Sequence, residues 1–310
     1  MLAIYRRELQ AFFGTLVGFG ITGAFVVVMM LLSLMLDPLG GGGDWFKRGE
    51  LSMRTFFGVF PWVAAVVLPA VAMRLWAEDR RQATFEMLMT LPIPTWKVAL
   101  GKYGAALTFL LFMLAATCVY PIMLAQWGKP DWGPVVGGYV ACFVLGAGFI
   151  AVGMFVSGLT DNQALAFFVA LLMCLGIVGV GELRGLLGDL ARTNPDAALT
   201  HLVTIPVFML GLLAAAVGRD RILGAAVSVL AVVVNGGVYL MAQPDPKQLA
   251  EKAKVSGETV IAALGQISVL EHFKEIGRGV LTTNSLIFFA SYVVLFVTLN
   301  VMSLESRRYS

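Results

Sequence analysis

The chain has 310 residues, 59% hydrophobic and 13% charged, with 22 Lys and Arg against 19 Asp and Glu. A soluble domain carries about 25% charged residues, so much of this apolar surface must meet lipid rather than water. The formal net charge of +3 is spread along the chain, which excludes the clustered basic patch that nucleic-acid binding needs.

In chain order, the first element is Met1–Phe13. Leu2, Tyr5, Leu9 and Phe12/Phe13 fall at helical spacing, with Arg6, Arg7 and Glu8 between them. That pattern predicts an amphipathic helix lying in the membrane surface. A helix needs about 20 apolar residues to cross ~30 Å of hydrocarbon, and Thr15–Leu36 is the first stretch that qualifies. No small-residue cleavage pattern accompanies it, so it is expected to be retained. Thr55–Met73 follows, with Pro61 and Pro69 as expected kinks.

Met73–Tyr103 is the most charged stretch. It predicts a helix over Trp76–Thr90 with Trp76, Ala83/Thr84, Met87/Leu88 and Leu91 as the apolar stripe. Glu78, Asp79, Arg80, Arg81 and Glu86 decorate the remainder, and Glu78–Arg81 suits an i,i+3 pair. Pro92 and Pro94 end the helix, and Trp96 and Lys97 suit a membrane interface.

Five further stretches then have the length and composition of spans before the last one: Tyr103–Leu124, Pro134–Ser157, Ala164–Val180, Thr200–Val217 and Ile222–Met241. The turn Gly158–Gln163 is short, and Gly218–Arg221 forms a polar tip between the last two. Gln243–Asn284 is too charged to span. Within it Val260, Leu264, Ile267, Leu270, Phe273, Ile276 and Val280 make one helical stripe, so an amphipathic helix is expected over Thr259–Val280. Ser285–Met302 is the final span. The expected fold is therefore all-α: a polytopic transmembrane helix bundle of about eight spans with an N-terminal interfacial helix. The absence of alternating polarity counts against a β-barrel.

Little in the chain points to catalysis. Neither Gly101-Lys102 nor Gly128-Lys129 sits in a phosphate-binding loop motif. His201 and His272 are far apart and unsuited to a metal site, and Cys118, Cys142 and Cys174 lie in apolar runs without zinc or redox spacing. The apolar spans carry no Asp, Glu, Lys or Arg, whereas ion-coupled carriers place such groups near the midplane. The energy source is expected to act from outside the membrane core.

Glu78, Arg80, Thr84, Glu86, Leu88, Thr90 and Pro92, followed by Trp96, Gly101 and Lys102, spell E-x-R-x-x-x-T-x-E-x-L-x-T-x-P with a trailing W-x-x-x-x-G-K. This run resembles the cytoplasmic coupling segment of ABC-2 type exporter permeases, specifically the gliding-motility-associated permeases and their relatives in nitrous-oxide-reductase maturation. YRRELQAFF resembles the elbow helix of that family, SGLTDNQ its turn between spans four and five, and LEHFKEIGRGV and LESRRY its segments around the last span. Relatives have a six-span core, so 200–241 stands out as an added transmembrane hairpin.

The resemblance implies one ABC-2 transmembrane domain over 1–310. Its parts are an elbow helix at 1–14, a cytoplasmic coupling segment at 74–102, the hairpin at 200–241 and an extracytoplasmic segment at 243–284. It implies an exporter permease without catalytic or metal-binding residues. A separate dimeric cytosolic ATPase would bind ATP and magnesium, and a second permease copy or a related membrane subunit would complete the assembly. The implied ATPase interface comprises Glu78, Asp79, Arg80, Arg81, Thr84, Glu86, Leu88 and Pro92, with Asp161 and Asn162 in the turn. His272, Phe273, Arg278 and Gly279 mark the extracytoplasmic helix. With 243–284 set aside, Lys and Arg near span ends favour a cytoplasmic N-terminus, which puts both termini on the cytoplasmic side of a bacterial inner membrane. An ATPase-independent channel or carrier, or a membrane scaffold, is the alternative.

Overall fold

A computed structural model describes residues 1–35, 53–82, 84–90, 92–127, 131–193, 268–279 and 282–308. The expected spans Thr200–Val217 and Ile222–Met241 lie outside the described residues, as does the first half of the expected helix Thr259–Val280. The described elements are all helical: α1 Leu2–Phe13, α2 Leu16–Met35, α3 Arg54–Ala72, α4 Arg74–Arg81, α5 Thr84–Thr90, α6 Thr95–Thr117, α7 Val119–Trp127, α8 Trp132–Leu159, α9 Gln163–Thr193, α10 Val269–Gly277 and α11 Thr283–Arg308.

Among the described residues five helical stretches are long and apolar enough to cross a membrane: Leu16–Ser33, Arg54–Arg81, Thr95–Gln126, Trp132–Leu159 and Thr283–Glu305. Gln163–Gly179 is a shorter apolar helix. The chain is thus a multi-pass helical membrane protein. It divides into two compact units, one made of Met1–Leu175 with His272–Ser310 and the other of Gly176–Glu271. In the second unit Gly181 faces Leu270 and Ser268.

In the first unit α8 is the central helix. In its most apolar stretch 78% of the residues are buried, against 17% in that of α11. It packs on α3, α6 and α11, and its small residues let those helices approach. A Cβ on Gly153 would come within 2.5 Å of Ala72 Cβ, and one on Gly146 within 2.8 Å of Leu110. Asn300 of α11 donates from Nδ2 to Met154 O at 2.9 Å, which pairs a polar group that hydrocarbon would penalise.

The second span ends where expected, and other boundaries differ from the sequence expectation. Helix α3 runs through both Pro61 and Pro69 and breaks only at Met73, whose N–H bonds Pro69 O at 2.8 Å. The expected single helix over Trp76–Thr90 is two helices. Gln82 caps α4, and the Thr84 hydroxyl turns back to Asp79 O at 3.2 Å, a local bond that competes with helix continuation. The third span begins at Thr95 rather than Tyr103, so Lys102 lies inside a membrane-capable helix. This corrects the expectation that the spans contain no charge. That helix breaks at Cys118 because Pro121 has no N–H to offer Thr117 O and its ring crowds that carbonyl.

Candidate functional site

The end of α3 and the start of α4 meet the C-terminal end of α8. Ser157 Oγ of α8 accepts from Trp76 N and Ala77 N, both at 3.1 Å, and donates to Met73 O at 2.8 Å. One hydroxyl therefore satisfies the backbone groups that the break at Met73 would otherwise strand. It also fixes the charged segment to the central helix. Trp76 beside it is fully buried.

Two elements, α1 and α4, then converge on Lys102 of α6. Its side chain is 1% exposed. Nζ reaches Asp79 Oδ2 of α4 at 2.5 Å, Glu8 Oε1 of α1 at 2.8 Å and Leu75 O at 2.6 Å. Two of the three ammonium donors are hydrogen-bonded, to Glu8 Oε1 and Leu75 O, and Asp79 is the ion-pair partner. The same nitrogen lies 5.0 Å from the Trp76 ring centroid, within cation–π range. Arg7 completes the cluster, with Nη2 at 2.6 Å from Glu8 Oε1 and 3.1 Å from Asp79 Oδ1. Burial works against the Arg7 charge, but bonding and attraction from Glu8 and Asp79 outweigh it and raise its pKa above the ordinary guanidinium value. Two cations and two carboxylates balance, which is the condition for keeping charge in a poorly solvated place.

Helix α1 reaches this cluster because Gly101 lets it approach. A Cβ there would stand 3.3 Å from Met1 O and 3.4 Å from Ile4. Tyr5 Oη bonds Thr108 Oγ1 at 2.8 Å, and Phe12 stacks on Phe109 with centroids 5.0 Å apart. The Gly101-Lys102 pair of the sequence motif thus has a physical meaning. The glycine receives the backbone of α1 and the lysine receives its Glu8.

Arg80 forms the second junction. Nη1 donates to Asp161 Oδ1 at 2.7 Å and Nη2 to Gly158 O at 2.6 Å. Its guanidinium also sits 4.7 Å from the Phe85 ring centroid. The Arg80 side chain is 7% exposed and that of Asp161 is 81% exposed, so the pair reaches from the interior to solvent. Asn162 caps α9 by accepting from Ala164 N at 2.9 Å and Leu165 N at 3.3 Å.

The structure therefore sorts the residues that the sequence grouped as one interface. Asp79 and Leu88 are buried, Asp79 because Lys102 and Arg7 require it, and neither is available at the surface. Thr84 bonds Asp79. Arg81, Met87 and Pro92 of the charged segment and Asp161 and Asn162 of the turn are exposed. Glu78 pairs with Arg81 at 2.9 Å. The side chain of Glu86 lies outside the described residues. Sequence reading did not assign Glu8, Lys102 or Ser157 to the site. The available signal was the spacing of Asp79 three residues after Trp76, which puts that carboxylate on the buried stripe and calls for an interior cation.

At the other end of α8, helix α10 docks on the bundle. Phe273 is buried and stacks on Phe60 with centroids 6.3 Å apart and planes 9° from parallel. His272 Nδ1 lies 3.0 Å from Ser285 Oγ, which donates to Glu275 Oε2 at 2.7 Å. Gly279 has φ +84°, a conformation natural to glycine, and packs against the Gly133 backbone. Arg278 is exposed.

Residues 50–196, just under half of the chain, match the model of the ABC-2 family transporter protein. That range contains α4, α5 and the 160–162 turn. The chain is similar to the "Probable multidrug ABC transporter permease YbhR" of Escherichia coli (strain K12) and of Escherichia coli O157:H7, at 30% identity over 91 residues in each case. The match covers 29% of this chain and 24% of each relative, so the chain spans about a quarter of the length of the curated relatives it matches. No solved structure gives a significant match.

Proposed function

We propose that this multi-pass chain, with its ABC-2 transporter match over residues 50–196, is the permease subunit of an ABC exporter akin to the gliding-motility-associated permeases. A separate cytosolic ATPase dimer docks on the exposed face formed by Arg81, Met87, Pro92, Asp161 and Asn162. ATP and magnesium belong to that partner. A second permease copy completes the transporter, and both termini face the cytoplasm of a bacterial inner membrane.

The observation that carries the reading is the bonding of Arg80 to both Asp161 and Gly158. It ties the coupling segment to the α8–α9 turn, so force applied at either site reaches the central helix. The Ser157 bonds and the Lys102 cluster extend the connection to α1 and α6. ATP closure does work on the bundle only if the closed ATPase pair prefers one of its states. A stiff connection of this kind converts that preference into a change of helix packing.

An ion-coupled carrier needs an ionisable group near the midplane that gains and loses an ion. Lys102 lies two turns into its helix, bonds Glu8 and Leu75 O and is ion-paired with Asp79, which favours a structural role.

The test is affinity capture of the chain from its native membrane in mild detergent. Wild type is expected to retain a P-loop ATPase, whereas Met87→Asp combined with Arg81→Glu loses it. Absence of any ATPase, even after cross-linking, contradicts the reading.

A further inference from the structure

Beside the Lys102 cluster, within the first unit, is a cavity of about 560 Å³. That volume lies inside the range of about 300–1,000 Å³ typical of ligand sites. Its lining brings together α1, the start of α2, and the junction of α3 with α4.

The charges around it do not balance. Arg7, Arg74, Arg81 and Lys102 contribute four cations, while Glu8, Glu78 and Asp79 contribute three carboxylates. The carboxylates are all spoken for by Arg7, Arg81 and Lys102. Arg74 is left over. Arg74 is half-buried, its Nε is buried with no hydrogen-bond partner, and among the described residues no carboxylate pairs with it. A buried guanidinium donor without an acceptor is costly, and the complement it lacks is an anion.

Thr15, Gln82, Thr84 and Gln163 add neutral polar groups to the lining, and one part of the wall is apolar. Phe12, Ile21, Val71 and Phe109 line it, with Gly18 between. Next to this wall on α2, Leu16, Val17 and Phe19 are exposed apolar residues. A site with a cationic end and an apolar wall that continues into lipid-facing surface matches an amphiphile rather than a soluble anion. Basic pockets among membrane helices take up anionic headgroups in this way, and arginine pairs with phosphate oxygens in two parallel bonds.

We propose that this cavity binds an anionic phospholipid. Its phosphate pairs with Arg74, and its acyl chains lie along Phe12 and Ile21 toward the exposed face of α2. The bound lipid bridges the interfacial helix and the coupling segment and supplies the negative charge that the protein leaves out. The inference needs only the membrane location of the chain, not its ATPase.

The experiment is native mass spectrometry of the purified full chain in detergent. It is titrated with phosphatidylglycerol, phosphatidylcholine or inorganic phosphate. Wild type is expected to retain phosphatidylglycerol at least about tenfold more tightly than phosphatidylcholine. Arg74→Gln is expected to lose that preference and Arg74→Lys to keep most of it. Ile21→Trp, which fills the apolar part and leaves the charges in place, is expected to weaken phosphatidylglycerol alone and serves if Arg74→Gln fails to fold. Equal retention of phosphatidylglycerol by wild type and Arg74→Gln overturns the proposal. So does inorganic phosphate that binds as tightly as the lipid, which would assign the site to a free anion. Loss of ATPase capture by Arg74→Gln with lipid binding unchanged would give the cavity to an acidic group of the partner, again overturning the lipid assignment. Because lipid retention is measured without the ATPase, its failure leaves the permease reading untouched.

Discussion

Lys102 Nζ stands 2.5 Å from Asp79 Oδ2, an ion pair whose cation lies inside a membrane-capable helix and whose anion lies on the charged segment before it. The side chains are 1% and 10% exposed, so neither charge has water as a substitute partner. Breaking a buried pair by removing one member costs about 3–5 kcal/mol. Lys102→Met is therefore expected to lower the unfolding midpoint in detergent sharply, by leaving Asp79 and Glu8 facing each other. Adding Glu8→Gln, which leaves Asp79 paired with Arg7, should recover part of the loss. A single variant as stable as wild type would show that the cluster does not hold these elements together.

Ser157→Ala is expected to destabilise the chain by about 1–3 kcal/mol, the cost of leaving buried donors unpaired. The variant strands Trp76 N and Ala77 N, which Ser157 Oγ now satisfies. Hydrogen exchange should rise at Trp76 and Ala77 before it rises in the middle of α8. Uniform exchange across the chain would contradict a local role.

At the opposite end of the bundle, Phe273→Ala should cost about 3–5 kcal/mol as a core aromatic truncation, since Phe273 is buried against Phe60. Gly137→Val tests the same docking from the other side. Its Cβ would come within 2.7 Å of Gly279 Cα, and a backbone cannot yield as a side chain does. Both variants are expected to open residues 268–279 to protease in intact vesicles. Unchanged protection would mean that α10 does not depend on these contacts.

Much of this architecture was legible in the sequence, for identifiable reasons. The amphipathic spacing of Leu2, Tyr5, Leu9 and Phe12 is periodic enough to announce α1, and the structure places Phe12 on Phe109. The turn at 160–162 is marked by polar residues between two apolar runs. The Lys102 cluster was not legible because its members come from positions 8, 79 and 102, and a lysine two turns into a helix reads as part of the preceding polar loop. The break at Gln82 was hidden for a related reason. It depends on Thr84 bonding back to Asp79, whereas the apolar stripe of Trp76, Thr84 and Leu88 is continuous with a single helix. Grouping Asp79 and Leu88 with the other residues of the expected interface followed from chain proximity, and only packing separates them from the exposed ones.

The central claim is that an ATPase drives this bundle through the coupling segment and the α8–α9 turn. The measurement that bears on it most directly is ATP turnover of the captured complex in proteoliposomes, compared between wild type and Asp161→Arg. That substitution sets a cation against Arg80 and cuts the ion pair that links α4 to the turn, while the exposed position should leave the fold intact. The account predicts a complex that still assembles but whose turnover no longer responds to the membrane subunit, with stimulation reduced by about tenfold or more, equivalent to ~1.4 kcal/mol of lost coupling. Turnover and stimulation equal to wild type, in a complex of the same composition, would contradict it.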